Sequence, residues 1–206
     1  MYIPKHFLES RQELLHDLIR NNAFAPLITQ LDGQFFASHL PFLFDPARGE
    51  HGALRSHMAR ANPQWRDLAS AEALVIFQGP HAFVSPSWYI EKPAVPTWNY
   101  AVVHAYGSAR LLDDVELRTL LQDTIGTFES PDTNLVLPEE YFDRMSRGVV
   151  GFEIAITRLE GKFKLSQNRS AADRASVIRA LGASEKAADI ETAALMASAL
   201  AEDHGS

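Results

Sequence analysis

Apolar and polar positions alternate with a period of two through the first half of the chain and shift toward a period of 3.6 later, which predicts strands first and helices afterwards. Ser10-Arg11-Gln12-Glu13 has the form of a capping box, and Leu14, Leu15, Leu18 and Ile19 follow at helical spacing, so a short amphipathic helix is expected to end near Asn22. Residues 24–31 and 34–44 are two strand-like runs joined by Asp32-Gly33, a dipeptide suited to the positive φ of a tight hairpin turn. Residues 53–58 form a third strand with Arg55 and His57 on one face and Leu54, Ser56 and Met58 on the other. Asn62-Pro63 predicts a helix start, with a short helix running through Trp65 and Leu68. Further strand is expected over 73–78 and 82–85, and a long strand from Trp98 to about Leu112. Helices follow over 115–128 and from Pro138. A return strand over 149–159 turns back at Glu160-Gly161. Ser170 caps a helix that Gly182 stops. Ser184 caps an alanine-rich one, which is expected to dock weakly because alanine buries little area, with a frayed end at His204-Gly205-Ser206.

Between the strand groups lies GPHAFVSPSWYIEKPAVPTWNYAVVHAYG, residues 79–107, holding Pro80, Pro86, Pro93, Pro96, Trp88 and Trp98. Proline fixes φ and removes a donor, so this is a stiffened loop that feeds an aromatic, β-branched strand. It reads either as a long hairpin connection held by aromatic packing or as a presenting loop with a function. Because hairpin turns rather than helical crossovers join the early strands, the predicted class is a β-rich α+β domain, closer to a Greek-key-like barrel than to a parallel sheet.

Composition narrows the function. The 206 residues suit one domain with appendages, and no stretch has the length of apolar sequence needed to span a bilayer. The absence of cysteine excludes disulfides and thiolate chemistry, and with an N-terminus lacking an apolar leader it leads us to expect a cytoplasmic protein. A net charge of −7 opposes unassisted binding to duplex DNA, which rests on clustered cations. Eight histidines occur without HxH or HExxH spacing, so no metal site is expected. Neither a G-x-S-x-G elbow, a G-x-G-x-x-G turn nor a P-loop is present, so no catalytic residue is nominated. What remains is a distributed set of cations, amides and aromatics: Arg55, His57, Arg60 and Asn62, then Trp98, Asn99 and Tyr100, then Lys164, Gln167 and Asn168. Together they suit a planar, phosphorylated, hydrogen-bonding ligand such as flavin mononucleotide, FMN. Each of them can equally be an ordinary surface or interface residue.

MYIPKHF at the N-terminus, ARANPQW at 59–65, FQGPHAFVSPSWY at 77–89, VPTWNYAVVHAYG at 95–107 and ITRLEGKFKLSQNR at 156–169 together resemble the PaiB family of FMN-binding negative transcriptional regulators. The resemblance implies a flavin split barrel related to pyridoxamine-phosphate-oxidase-like proteins, a homodimer, and FMN at the subunit interface. It implies cofactor contacts from Arg55, His57, Arg60, Asn62, Trp98, Asn99, Tyr100, Lys164 and Gln167. On this reading residues 1–183 form the FMN-binding domain and 184–206 a C-terminal helical extension outside the shared pattern. The expected function is regulation through a protein partner or a redox-linked change rather than direct base readout. An FMN-dependent oxidoreductase and a haem-binding protein of the same barrel are the alternatives.

Overall fold

The computed structural model describes residues 1–203 except 32, 134 and 136. Asp32 of the expected hairpin turn and the C-terminal residues 204–206 therefore lie outside the described residues, although Gly33 has the positive φ of 75° that the turn requires. The elements run β1 (Leu8–Glu9), α1 (Gln12–Asn21), β2 (Phe24–Leu31), β3 (Gln34–Pro41), β4 (Leu43–Asp45), β5 (Ala53–Ala59), β6 (Glu72–Val84), β7 (Thr97–Leu111), α2 (Asp114–Phe128), α3 (Glu139–Ser146), β8 (Val149–Lys164), α4 (Ala171–Gly182) and α5 (Ala187–Asp203). The strands form one open antiparallel sheet in the order β3-β2-β6-β7-β8-β5-β4, with β1 paired to β8.

The chain divides into two compact units. One contains residues 1–18, 78–103 and 160–206, the other residues 19–77 and 104–159. The second unit is built on Leu27, Leu54, Met58, Phe77, Phe152 and Ile154, all at most 2% exposed, and is covered by Leu117 and Leu120 of α2. α2 starts on a complete capping box: Asp113 accepts from the N–H of Glu116, and the Glu116 carboxylate accepts from the N–H of Asp113. The first unit packs Leu15, Val84, Val103, Phe163, Val177 and Leu181.

Several local expectations are overturned by tertiary packing. The run over 34–44 breaks at Phe42, whose N–H leaves the ladder for Ala23 O at 2.8 Å while its ring turns into the core against Phe77 and Phe152. The two pieces expected over 73–85 are one strand, β6, with Ala73, Val75, Phe77 and Gly79 buried before Pro80 and Ala82 and Val84 buried after it, so the in-out alternation slips by one residue at Pro80-His81. Asn62-Pro63 opens only a four-residue 3-10 turn, Pro63–Arg66. Glu160-Gly161 is not a turn: β8 runs straight on to Lys164 because Gly161 pairs with Glu9, and a Cβ there would stand 2.7 Å from Glu9 O and inside Leu15. Nor is α5 weakly docked, since Thr192, Ala193 and Met196 are buried and the Asn99 amide donates to Met196 Sδ at 3.2 Å.

Candidate functional site

The nine residues that the resemblance nominates as cofactor contacts fall into one group in each unit. In the second unit, β5 alternates as expected, with Leu54, Ser56 and Met58 buried and Arg55 and His57 on the opposite, half-buried face. That opposite face is the one α2 covers. His57 is paired with Gly151, where a Cβ would stand 2.9 Å from Leu117, and Arg55 Nη1 donates to Asp123 Oδ2 of α2 at 2.9 Å. Burial pushes the His57 imidazole below its ordinary value, and its Nδ1 has no hydrogen-bond partner among the described residues. Arg60 lies just beyond the strand, where Nε donates to Arg147 O and Nη2 to Val149 O, each at 2.9 Å. Asn62 is committed at both ends of its amide: Oδ1 caps the N–H of Gln64 at 3.0 Å and Nδ2 donates to Ser38 Oγ at 2.8 Å. Arg60 and Asn62 are thus each hydrogen-bonded within this unit, Arg60 to backbone carbonyls and Asn62 to a backbone N–H and a side chain.

In the first unit, β7 points Asn99 into the core and Trp98 and Tyr100 outward. Asn99 is fully buried, and its Nδ2 donates to Ser166 Oγ at 2.9 Å. Trp98 is 53% exposed and lies edge-on to Phe83 at 6.0 Å and tilted against His81 at 6.2 Å. Two lysines from β8 share this face. Lys162 Nζ lies 5.4 Å from the Tyr100 ring and 5.7 Å from the Tyr2 ring, while Lys164 Nζ donates to Trp98 O at 2.5 Å and to Thr97 Oγ1. Burial, and then the charge of Lys162, push the Lys164 ammonium below its ordinary value. Neither lysine is paired with a carboxylate among the described residues. Gln167 is spent locally, with Nε2 on Phe163 O and Oε1 taking the N–H of Leu165.

Sequence reasoning groups Lys162 with Lys164, Arg169 and Arg174 as a local set of cations that fits a single phosphate better than a DNA footprint, but does not place Lys162 among the cofactor contacts. Its alternation with Lys164 in GKFK puts both on one face by the period of two, but the turn expected at Glu160-Gly161 hid that phase. Among the described residues, no group of three or more histidine or acidic side chains is placed to hold a metal, and no helix is long and apolar enough to cross a membrane.

Residues 1–158 match the family model described as "Putative FMN-binding domain". The chain is 38% identical over 186 residues, 88% of this chain and 89% of the relative, to the protease synthase and sporulation protein PAI 2 of Bacillus subtilis. It is 35% identical over 86% of its length to an uncharacterised protein of Emericella nidulans, covering 89% of that protein. Among solved structures it resembles the flavocytochrome Anf3 of Azotobacter vinelandii with a TM-score of 0.63 and 13% identity, covering 79% of this chain and 72% of that one. A FAD- and haem-binding protein of Mycobacterium smegmatis aligns with a TM-score of 0.59 and 19% identity, over 81% of this chain and 78% of that one. At these identities the structural likeness fixes the fold, an α+β split β-barrel with peripheral and C-terminal helices, and nothing beyond it. By the extent of the family match and the identity to PAI 2, the chain belongs to the PaiB family of FMN-binding-domain proteins.

Proposed function

We propose that this chain is an FMN-binding regulatory protein of the PaiB type, holding its flavin against the face formed by Trp98, Tyr100, Lys162 and Lys164. The observation that carries this reading is the pair of lysines without carboxylate partners beside exposed aromatic rings. Two neighbouring ammonium groups repel one another, and an anionic group between them relieves that repulsion, while the rings offer stacking surface to a planar heterocycle. The residues present therefore fit a phosphorylated flavin. Within this reading Lys162 and Lys164 meet the phosphate, Trp98 and Tyr100 flank the ring system, and Asn99 and Gln167 hold the backbone on which those side chains stand. Arg55, His57, Arg60 and Asn62 are assigned to the shape of the other unit rather than to flavin contacts. When bound, a flavin supplies one- or two-electron redox chemistry; the protein's part is to bind and orient it.

The chain is further proposed to act as a homodimer, in the cytoplasm. Tyr2, Ile90, Val95 and Trp98 are each more than half exposed, and aromatic and aliphatic groups of this kind are enriched in interface cores. With a net charge of −7, regulation is proposed to run through a protein partner or a redox-linked change and not through contact with bases.

Titration of the purified chain with FMN, FAD and riboflavin, with light scattering before and after, tests the reading. FMN bound more tightly than riboflavin by a dimer is the expected result. Equal affinity for FMN and riboflavin, or no flavin binding at all, would overturn it. Rapid reduction of the bound flavin by NADH or NADPH would replace the regulator by an oxidoreductase.

A further inference from the structure

Lys164 stands apart from the other lysines by what surrounds its Nζ. An ammonium carries three N–H donors, and here the protein supplies two acceptors, both neutral: Trp98 O at 2.5 Å and Thr97 Oγ1. No carboxylate pairs with it among the described residues. The side chain is half-buried, with Nζ 5.9 Å from the centre of the buried Phe7 ring. Lys162, two positions earlier on the same face of β8, adds a second positive charge. Burial first, and then that charge, work against the third proton of Lys164. A neutral amine has two N–H bonds and one lone pair. The two acceptors match its two hydrogens and leave the lone pair as a nucleophile. Lys5, Lys92 and Lys186 are exposed and lack this setting.

Lys162 is placed for a different duty. It gives no hydrogen bond to a described residue, and its Nζ lies 5.7 Å from the Tyr2 ring and 5.4 Å from the Tyr100 ring. A nucleophilic amine beside a cation without an anionic partner suits an electrophile that carries its own anion. An acyl phosphate has both parts: a phosphoryl group for Lys162 and an activated carbonyl for Lys164.

We propose that Lys164 is an acylation site, modified by small acyl phosphates that dock through Lys162. The lone pair on Nζ attacks the acyl carbon, the C–N bond forms, and the C–O bond to phosphorus's oxygen breaks. Inorganic phosphate leaves, and the proton of the attacking amine passes to it or to solvent. The amide product keeps one N–H and no charge, so the contacts to Thr97 and Trp98 can no longer both be made. The proposal rests on the flavin reading in one respect: the phosphate subsite is the one assigned there to FMN, so acylation and FMN exclude one another.

The test is incubation of the full chain with acetyl phosphate, with acetyl occupancy at each lysine followed over time by peptide mass spectrometry. Acetylation of Lys164 at least about tenfold faster than that of Lys5, Lys92 and Lys186 is expected, since docking places the reagent. Inorganic phosphate should slow the reaction at Lys164 and not at the exposed lysines. Lys162→Gln is expected to bring the Lys164 rate down to theirs, and Lys162→Arg, which keeps the charge, to preserve most of it. Uniform labelling of the lysines, or a Lys164 rate unchanged in Lys162→Gln, would overturn the proposal. Added FMN separates the two readings. Protection of Lys164 by FMN and not by riboflavin is expected. Selective labelling that FMN does not slow would keep the acylation site and take the flavin phosphate away from this face, whereas FMN binding with uniform labelling would keep the flavin and end the proposal.

Discussion

Asp173, fully buried at the first turn of α4, accepts the backbone N–H of Ile90 on Oδ1 at 2.6 Å, and the next N–H, that of Glu91, on the same oxygen at 3.0 Å. One carboxylate oxygen thereby fastens the middle of the proline-rich loop that leads into Trp98. Arg169, placed 4.7 Å from the Tyr89 ring, holds the residue before it.

Asp173→Ala is expected to cost roughly 2–3 kcal/mol, the scale of hydrogen bonds to a charged group, and to free the loop. Asp173→Asn keeps an acceptor at Oδ1 and should cost about 1 kcal/mol. A glutamate-specific protease, cutting after Glu91, reads the loop directly. Rapid cleavage of the alanine variant beside a resistant asparagine variant is the expected pattern, and equal resistance of both would show that Asp173 does not hold the loop.

Much of this architecture is written in local patterns, and its failures share one cause. The face assignment of β5 follows from simple alternation, and α2 follows from the spacing of Leu117, Leu120 and Leu121 behind an acidic cap. Side-chain commitments over long range left no such trace. The carbonyls that occupy Arg60 come from Arg147 and Val149, 87 and 89 positions away, and the amide of Asn99 is spent on Ser166 and on Met196, 97 positions away. From sequence, an arginine beside Asn-Pro and an asparagine beside tryptophan both read as ligand contacts. Their hydrogen-bond partners within the fold, distant in sequence, are what the local pattern does not show. Gly161 misled for the same reason, because a residue chosen for close approach of Glu9 and Leu15 carries the local signature of a turn.

Two glycines should respond to alanine with opposite signs. At Gly107 a Cβ would stand 2.7 Å from Ile154 Cγ2 and would overlap the Ala155 carbonyl, a backbone group that cannot swing away. Overpacking of this kind costs about 1–3 kcal/mol, so Gly107→Ala should lower the denaturation midpoint clearly. Gly126→Ala, in open space within α2, should raise stability by up to about 1 kcal/mol. Urea denaturation of the two variants decides. A neutral Gly107→Ala would mean that β7 and β8 separate more easily than their packing indicates.

His57 makes stability depend on acidity. Its imidazole is pushed below the ordinary value by burial, on the face that also carries Arg55, so the unfolded chain binds its proton more readily than the folded one. Where the unfolded state holds more protons, stability rises with pH. The contribution is therefore present in full above the unfolded value of about 6.5 and is lost as pH falls from there toward the folded value. Thermal midpoints measured between pH 7.5 and pH 5, a window of about 2.5 units around the histidine range, should fall for wild type and fall less for His57→Gln. An identical acid slope in both proteins would assign the effect to other groups.

The flavin reading is tested most cleanly at Lys162, because Lys164 also has a structural duty. Lys164 donates to Thr97 and Trp98, so its removal would disturb the backbone of β7 whatever it binds. Lys162 only lies over the rings of Tyr2 and Tyr100, and losing it leaves no protein acceptor unsatisfied. If Lys162 meets a phosphate, Lys162→Gln removes a charge-assisted contact of about 1.5–3 kcal/mol, roughly ten- to a hundredfold in affinity. That loss must fall on FMN and spare riboflavin, which shares the ring system but has no phosphate. Trp98→Leu should behave differently, weakening both ligands to a similar degree, since stacking does not distinguish them. Asn99→Ala, by contrast, opens the buried contact to Ser166 and Met196 and is expected to lower the thermal midpoint without altering the ratio of FMN to riboflavin affinity. Fluorescence titrations of the four proteins with both ligands separate these effects. A folded Lys162→Gln protein that keeps the wild-type preference for FMN over riboflavin would remove this lysine pair from the phosphate site.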